Sequence, residues 1–178
     1  MSRQIALLRG INLGSRRRVA MADLRELLTS LGYEDVRTYL QSGNVVLGSE
    51  RPERRLEHDL ERQISSMFGI DVPVVVRTRA ELADVVAHDP LGAVVEDPKR
   101  YLVTFLSAEP DPERLRELTD LDVAPEQLAV SGREIYAWHP DGVQRSRLAA
   151  ALTDRRLGVT ATARNWSTVT KLLALADA

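Results

Sequence analysis

Cysteine is absent from the 178 residues, which excludes disulfides, thiolate nucleophiles and cysteine-ligated metals. That absence suits a reducing compartment, so a cytoplasmic location is expected. Aromatic residues make up only 4% of the chain, with two Phe and two Trp. Sheets that read RNA stack bases on strand aromatics, and the strands read here as Ile5, Leu7, Val45 and Leu47 offer almost none. Lysine is nearly missing, at Lys99 and Lys171 alone, so arginine carries the positive charge. No stretch approaches the roughly 20 apolar residues of a membrane span. The apolar run that follows Met1-Ser2-Arg3-Gln4 is too short for the core of a signal peptide. Neither membrane insertion nor export is therefore expected.

Hydrophobic residues at 44% and charged residues at 28% match an ordinary globular composition. The net charge of −2 is uneven. Residues 1–80 hold 13 Arg against 10 Asp and Glu, a net of +3, and residues 81–178 hold 11 Lys and Arg against 16 Asp and Glu, a net of −5. This asymmetry permits an anionic partner on one face, while a sequence pI near 6.0 argues against a dedicated duplex-DNA binder.

Period and punctuation give the first half a strand at 3–9, a helix at 21–31, strands at 35–41 and 44–48, a helix at 53–68 and a strand at 72–77. The first helix aligns Met21, Leu24, Leu27, Leu28 and Leu31 and stops at Gly32. The second aligns Leu56, Leu60, Ile64 and Phe68 and stops at Gly69. The same order returns as a strand at 100–107, a helix at 112–121, strands at 127–131 and 133–138, a helix at 145–157 and a strand at 159–163. Leu24-Arg25-Glu26-Leu27 matches Leu115-Arg116-Glu117-Leu118, Ser42-Gly43 matches Ser131-Gly132, and Val72 through Arg77 matches Val159 through Arg164. Each half then adds a helix, opened by Thr78 with Glu81 three residues on, and by Asn165. The expected fold is thus α+β, with two tandem ferredoxin-like (split βαβ) subdomains arising by internal duplication, each followed by an extra helix. The expected boundaries are 1–88 and 99–178, joined by a linker at 89–98 that is rich in turn formers.

Three segments stand out: Leu7-Leu8-Arg9-Gly10-Ile11-Asn12-Leu13-Gly14, Thr38-Tyr39-Leu40-Gln41-Ser42-Gly43-Asn44-Val45-Val46, and Thr162-Ala163-Arg164-Asn165-Trp166-Ser167-Thr168-Val169-Thr170-Lys171-Leu172. In these motifs and their order the chain resembles the domain of unknown function 1697 family. That resemblance implies a bacterial protein built of paired α+β subdomains, and it implies no activity. The arginine and alanine bias fits a GC-rich bacterial genome. Ser15 departs from the family pattern where a second glycine is usual, as do Arg16 and Arg18 where lysines are common.

The connection from Gly10 to Ala20 has eleven residues where strand-to-helix loops usually take about 2–6. Gly10 and Gly14 free the backbone, Arg16, Arg17 and Arg18 add charge, and a helix N-terminus follows, so the loop is a candidate phosphate or carboxylate site. It is neither a Walker loop nor a dinucleotide fingerprint, and a solvated basic loop explains it equally well. Gln41, Ser42, Gly43 and Asn44 form a tight turn, with amides at Gln41 and Asn44 available to a ligand. Arg164 is a candidate anion fork, Asn165 a helix cap and Trp166 a stacking plane. His58, His88 and His139 share no ligand spacing and read as surface or turn positions, and no acid–base pair is nominated.

The first-ranked expectation is a binding module for a phosphate-bearing or other anionic small ligand, with a nucleotide in view and nucleic acid as a weaker variant. Arg9, Asn12, Arg16, Arg17, Arg18, Gln41, Asn44, Arg164, Asn165 and Trp166 supply the contacts, with no metal or cofactor. An enzyme acting by positioning on a nucleotide or small metabolite ranks second. A partner-binding protein using its strand edges ranks third.

Overall fold

The computed structural model describes residues Met1–Ala178. In the first half the chain forms β1 (Arg3–Leu8), α1 (Met21–Ser30), β2 (Glu34–Tyr39), β3 (Asn44–Gly48), α2 (Glu53–Phe68), β4 (Val74–Thr78) and α3 (Arg79–His88). These strands make an antiparallel sheet in the order β2-β3-β1-β4. β1 is central, pairing Ile5 with Val46 on one side and with Arg77 on the other. Alternation along the strands sends Ala6, Leu8, Val45, Leu47, Val74 and Val76 to one face, where they pack with Leu24 and Leu28 of α1 and with Leu56, Leu60 and Ile64 of α2. Full burial of each such leucine contributes about 1.5–3 kcal/mol. Ile5, Leu7, Val46, Val75 and Arg77 alternate onto the opposite face and are buried as well. β3 therefore reads as an unbroken buried run rather than an alternating one.

The second half forms β5 (Tyr101–Leu106), α4 (Pro112–Thr119), β6 (Gln127–Ser131), β7 (Glu134–Trp138), α5 (Arg147–Ala151), α6 (Asp154–Leu157), β8 (Ala161–Asn165) and α7 (Trp166–Asp177). Its antiparallel sheet runs β6-β7-β5-β8. The core holds Leu106, Ile135 and Ala137 from the sheet and Leu118, Leu148 and Leu157 from the helices. The fold is therefore mixed α+β, with two four-stranded antiparallel sheets that each carry helices. No helix is long and apolar enough to cross a membrane.

Three features differ from the sequence expectation. The helix expected at 145–157 is two short ones, because Leu152 leaves helical geometry at φ −89° and ψ 59°. Thr153 then accepts a hydrogen bond from the Arg156 N–H and starts α6 afresh. Hydroxyl side chains that bond nearby backbone interrupt helices in this way. A 3-10 turn at Pro98–Arg100, capped by Asp97, begins at the last residue of the expected linker and runs into the start of the expected strand. Finally, the chain divides by contacts into one unit of Met1–Ala83 with Lys171–Ala178 and a second of Asp84–Thr170, so both divisions fall within helices α3 and α7. In the first unit Arg37 donates to the Leu175 carbonyl at 3.2 Å and Arg79 pairs with Asp177 at 2.6 Å. Those contacts join its distant C-terminal segment to the rest.

Candidate functional site

The loop after β1 is closed by its own side chains. Asn12 has a left-handed backbone at φ 54°, a conformation that asparagine tolerates because its short amide bonds locally. Its Nδ2 donates to the Val19 carbonyl at 2.8 Å and the Gln41 carbonyl at 2.7 Å, while its Oδ1 accepts from the Val19 N–H at 2.9 Å. One side chain thus ties both ends of the loop to the β2–β3 turn. Arg17, also left-handed at φ 54°, sends Nε back to the Gly10 carbonyl at 2.8 Å and Nη2 to the Asp71 carbonyl. Ile11 and Val19 are buried beneath, leaving the tip from Leu13 to Arg18 exposed.

The β2–β3 turn is fitted to this loop. Gly43 has φ 91°, and a Cβ there would lie 2.8 Å from both the Leu8 Cβ and the Ile11 Cδ1. Only glycine meets the backbone angle and the close approach together. The Leu8 N–H donates to the Gly43 carbonyl at 2.9 Å. Asn44 is fully buried and donates to the Tyr39 carbonyl at 2.8 Å and the Ser42 hydroxyl at 3.1 Å.

The candidate residues therefore separate by role. Asn12, Arg17 and Asn44 hold the loop and turn in shape, Arg9 is half-buried, and Gln41 is exposed. Arg16 and Arg18 are exposed and make no side-chain hydrogen bond or ion pair. No acidic residue lies between Gly10 and Ala20 to offset them.

In the second unit, Arg164 is 8% exposed and donates through Nη1 to the Thr162 hydroxyl at 2.8 Å and the Ala163 carbonyl at 2.9 Å. Burial pushes its pKa down to about 10, so it remains a cation at neutral pH. The Asn165 Oδ1 accepts from the Thr168 N–H at 2.9 Å and caps α7. Trp166 stacks on Tyr101 with ring centroids 4.8 Å apart and planes at 28°, so one indole face is already covered. Burial raises the Tyr101 phenol.

Two readings of the sequence need correction. The second sheet is not poor in aromatics: Tyr101, Phe105, Tyr136 and Trp138 alternate onto one face, since Tyr101 lies opposite Trp138 and Val103 opposite Tyr136. All four are buried, so they are core rather than a platform for bases. Nor is His139 a surface histidine, at 1% exposure. Its Nδ1 meets the Glu126 carboxylate, and the Ser146 hydroxyl lies 3.1 Å from the same nitrogen. Ser146 donates to Glu126 at 2.5 Å and accepts from the Ala149 N–H at 2.8 Å, capping α5. Burial raises the Glu126 pKa, but hydrogen bonds from Ser146 and His139 outweigh it and hold the carboxyl below the usual range. The serine oxygen is committed on both its donor and acceptor sides, so the cluster is a clamp between three segments rather than a nucleophile–base pair. Residues 126, 139 and 146 share no sequence motif that could have revealed it. No group of three His, Asp or Glu side chains is placed to hold a metal ion.

The chain matches a solved conserved bacterial protein, SP0830 from Streptococcus pneumoniae, with a TM-score of 0.80 at 23% identity and 98% coverage of both chains. At that identity the likeness shows the fold alone. No curated protein matches the chain. A family model described as protein of unknown function (DUF1697) matches residues 1–136. With most of its length under that match, the chain belongs to the DUF1697 family of proteins of unknown function.

Proposed function

We propose that the chain is a duplicated pair of ferredoxin-like units serving as a cytoplasmic binding module for a phosphate-bearing or other anionic small ligand. The duplication is supported by the parallel strand orders β2-β3-β1-β4 and β6-β7-β5-β8. It is supported also by Arg77 and Arg164, which sit at matching strand positions and each donate Nη1 to the preceding carbonyl at 2.9 Å.

The ligand is received on the Gly10–Ala20 loop. The observation that carries this reading is the division of labour among its arginines. Arg17 and Asn12 spend their hydrogen bonds on the loop itself. Arg16 and Arg18 are left exposed without a carboxylate, on a frame already ordered. A preorganised cation pair loses less entropy on capturing an anion than two loose ones. Gln41, whose carbonyl is bonded to Asn12, adds an exposed amide next to the frame. Arg164, Asn165 and Trp166 hold structural posts in the second unit and are not needed for this site.

A thermal-shift panel of nucleotides, sugar phosphates and short RNA tests the reading, since a ligand at 100 times its Kd adds about 2.7 kcal/mol of stability. At least one phosphate compound is expected to raise Tm in the wild type and to lose that effect in Arg16→Ala/Arg18→Ala. A flat panel would refute the proposal.

One observation favours partner binding as a second reading. Of the outer strands, β2 is guarded by acidic residues and a register shift between Glu34 and Arg37. β6, Gln-Leu-Ala-Val-Ser, pairs with β7 in continuous register and carries no charge. Unguarded edges of this kind accept a further strand. Sedimentation velocity across a hundredfold range of concentration should then show growth in size that Gln127→Lys, at an exposed position of the strand, abolishes. A constant size would count against it.

A further inference from the structure

The two units differ in the helical connection between their third and fourth strands. The first unit places there the 16-residue α2, whereas the second places α5, of five residues, and α6, of four. The break at Leu152–Thr153 borders a cavity of about 730 Å³ between α4 and α6. Sites for small molecules commonly enclose roughly 300–1,000 Å³. Its apolar lining comes from Leu118, Ala151 and Leu157, which are buried, and from Leu121, which is 37% exposed at the mouth.

Three arginines line the same cavity, against the single acid Glu117. Arg114 is held in place by two hydrogen bonds from Nη1, to the Arg155 carbonyl at 3.2 Å and the Arg156 carbonyl at 2.9 Å. It also packs against Gly158, where a Cβ would come within 3.1 Å of its Nε. Its Nε and Nη2 make no hydrogen bond to protein, and that pair of nitrogens forms the fork that grips a carboxylate. Arg155 and Arg156 are exposed without an ion pair. The apolar surface that Leu121 exposes at the mouth, beside a fixed guanidinium, is ill suited to a free inorganic anion, which gains nothing from leucine. A neutral lipid would leave the arginine fork unused. The lining also lacks aromatic rings on which a nucleobase would stack.

We propose that this cavity binds a small amphiphilic carboxylate, with its head on Arg114 and its alkyl or aryl body against Leu121 at the mouth. The site belongs wholly to the second unit and is independent of the Gly10–Ala20 loop.

Titration calorimetry of the full chain with sub-micellar decanoate, 1-decanol and acetate tests it. Decanoate is expected to bind at least tenfold more tightly than decanol, and acetate to give no measurable heat. Leu121→Glu places a carboxylate at an already exposed position and is expected to weaken decanoate at least tenfold, as is Arg114→Ala, which removes the fork. Arg16→Ala/Arg18→Ala should leave decanoate binding unchanged, which separates the failure of this site from failure of the loop. Equal affinity for decanoate and decanol would overturn the proposal, because a bare apolar patch would explain it. So would no decanoate binding, or binding indifferent to both cavity variants while their circular dichroism stays that of the wild type.

Discussion

Replacing Gly43 by alanine tests whether the first loop and the β2–β3 turn are truly fitted to one another. Two costs combine. The backbone at φ 91° is strained for any residue with a Cβ, at about 1–2 kcal/mol. The added methyl would lie 2.8 Å from the Leu8 Cβ and from the Ile11 Cδ1, and both residues are buried. Leu8 sits on the central strand, paired with Val74, and has little room to retreat. Overpacking of that kind costs about 1–3 kcal/mol, so Gly43→Ala should lose about 2–5 kcal/mol in all. Gly10→Ala is the control, because its φ of 68° carries the backbone strain while nothing lies within 4 Å of the added atom. Urea unfolding followed by circular dichroism should place Gly43→Ala below Gly10→Ala by about 1–3 kcal/mol. Hydrogen exchange at the Leu8 N–H, which donates to the Gly43 carbonyl, should accelerate in Gly43→Ala alone. Equal losses in the two variants would refute the claimed close approach.

Asn12→Gly keeps the left-handed backbone but removes three hydrogen bonds, and at about 0.5–1.5 kcal/mol each it should lose about 1.5–4.5 kcal/mol in urea. Asn12→Ala should fall lower still by about 1–2 kcal/mol; a smaller loss for alanine than for glycine would contradict the assigned strain. Asp59 is buried against Arg51, Arg55 and Arg62. Burial raises its pKa, but the Arg51 hydrogen bond and the three positive charges outweigh that and hold it below the ordinary carboxylate value. Its unfolded form therefore binds the proton first as pH falls, so its stabilisation is present above about pH 4 and is lost on descent through the lower native value. The Tm gap between wild type and Asp59→Asn should be steady from about pH 5 to 7 and close below about pH 4. A gap that widens on acidification would reverse the sign.

The order of elements was legible because it depends on short-range chemistry. Thr78 and Glu81 exchange the two hydrogen bonds of a capping box, as their spacing implies. Asn165 caps α7, and α2 stops at Gly69. What escaped was whatever depends on distant partners. Arg16, Arg17 and Arg18 look alike in sequence, yet only Arg17 reaches the Gly10 and Asp71 carbonyls. Asn12 looked like a ligand amide because its acceptors, Val19 and Gln41, become neighbours only once the loop closes. His139-Pro140-Asp141-Gly142 reads as a turn, and the turn is real: the Gly142 N–H donates to the His139 carbonyl at 3.0 Å. The burial of His139 depends on Glu126 and Ser146, contributed by other segments. The period through 145–157 survives in the buried Leu148, Ala151 and Leu157, which hid the break that Thr153 introduces.

The central claim is that Arg16 and Arg18, and not Arg17, face an anion. Titration calorimetry with inorganic pyrophosphate in low salt, on wild type and on Arg16→Ala/Arg18→Ala at matched Tm, addresses it directly. The account predicts binding to the wild type and at least a tenfold loss in the double variant. Equal affinity in the two proteins, or no heat from either, would contradict it.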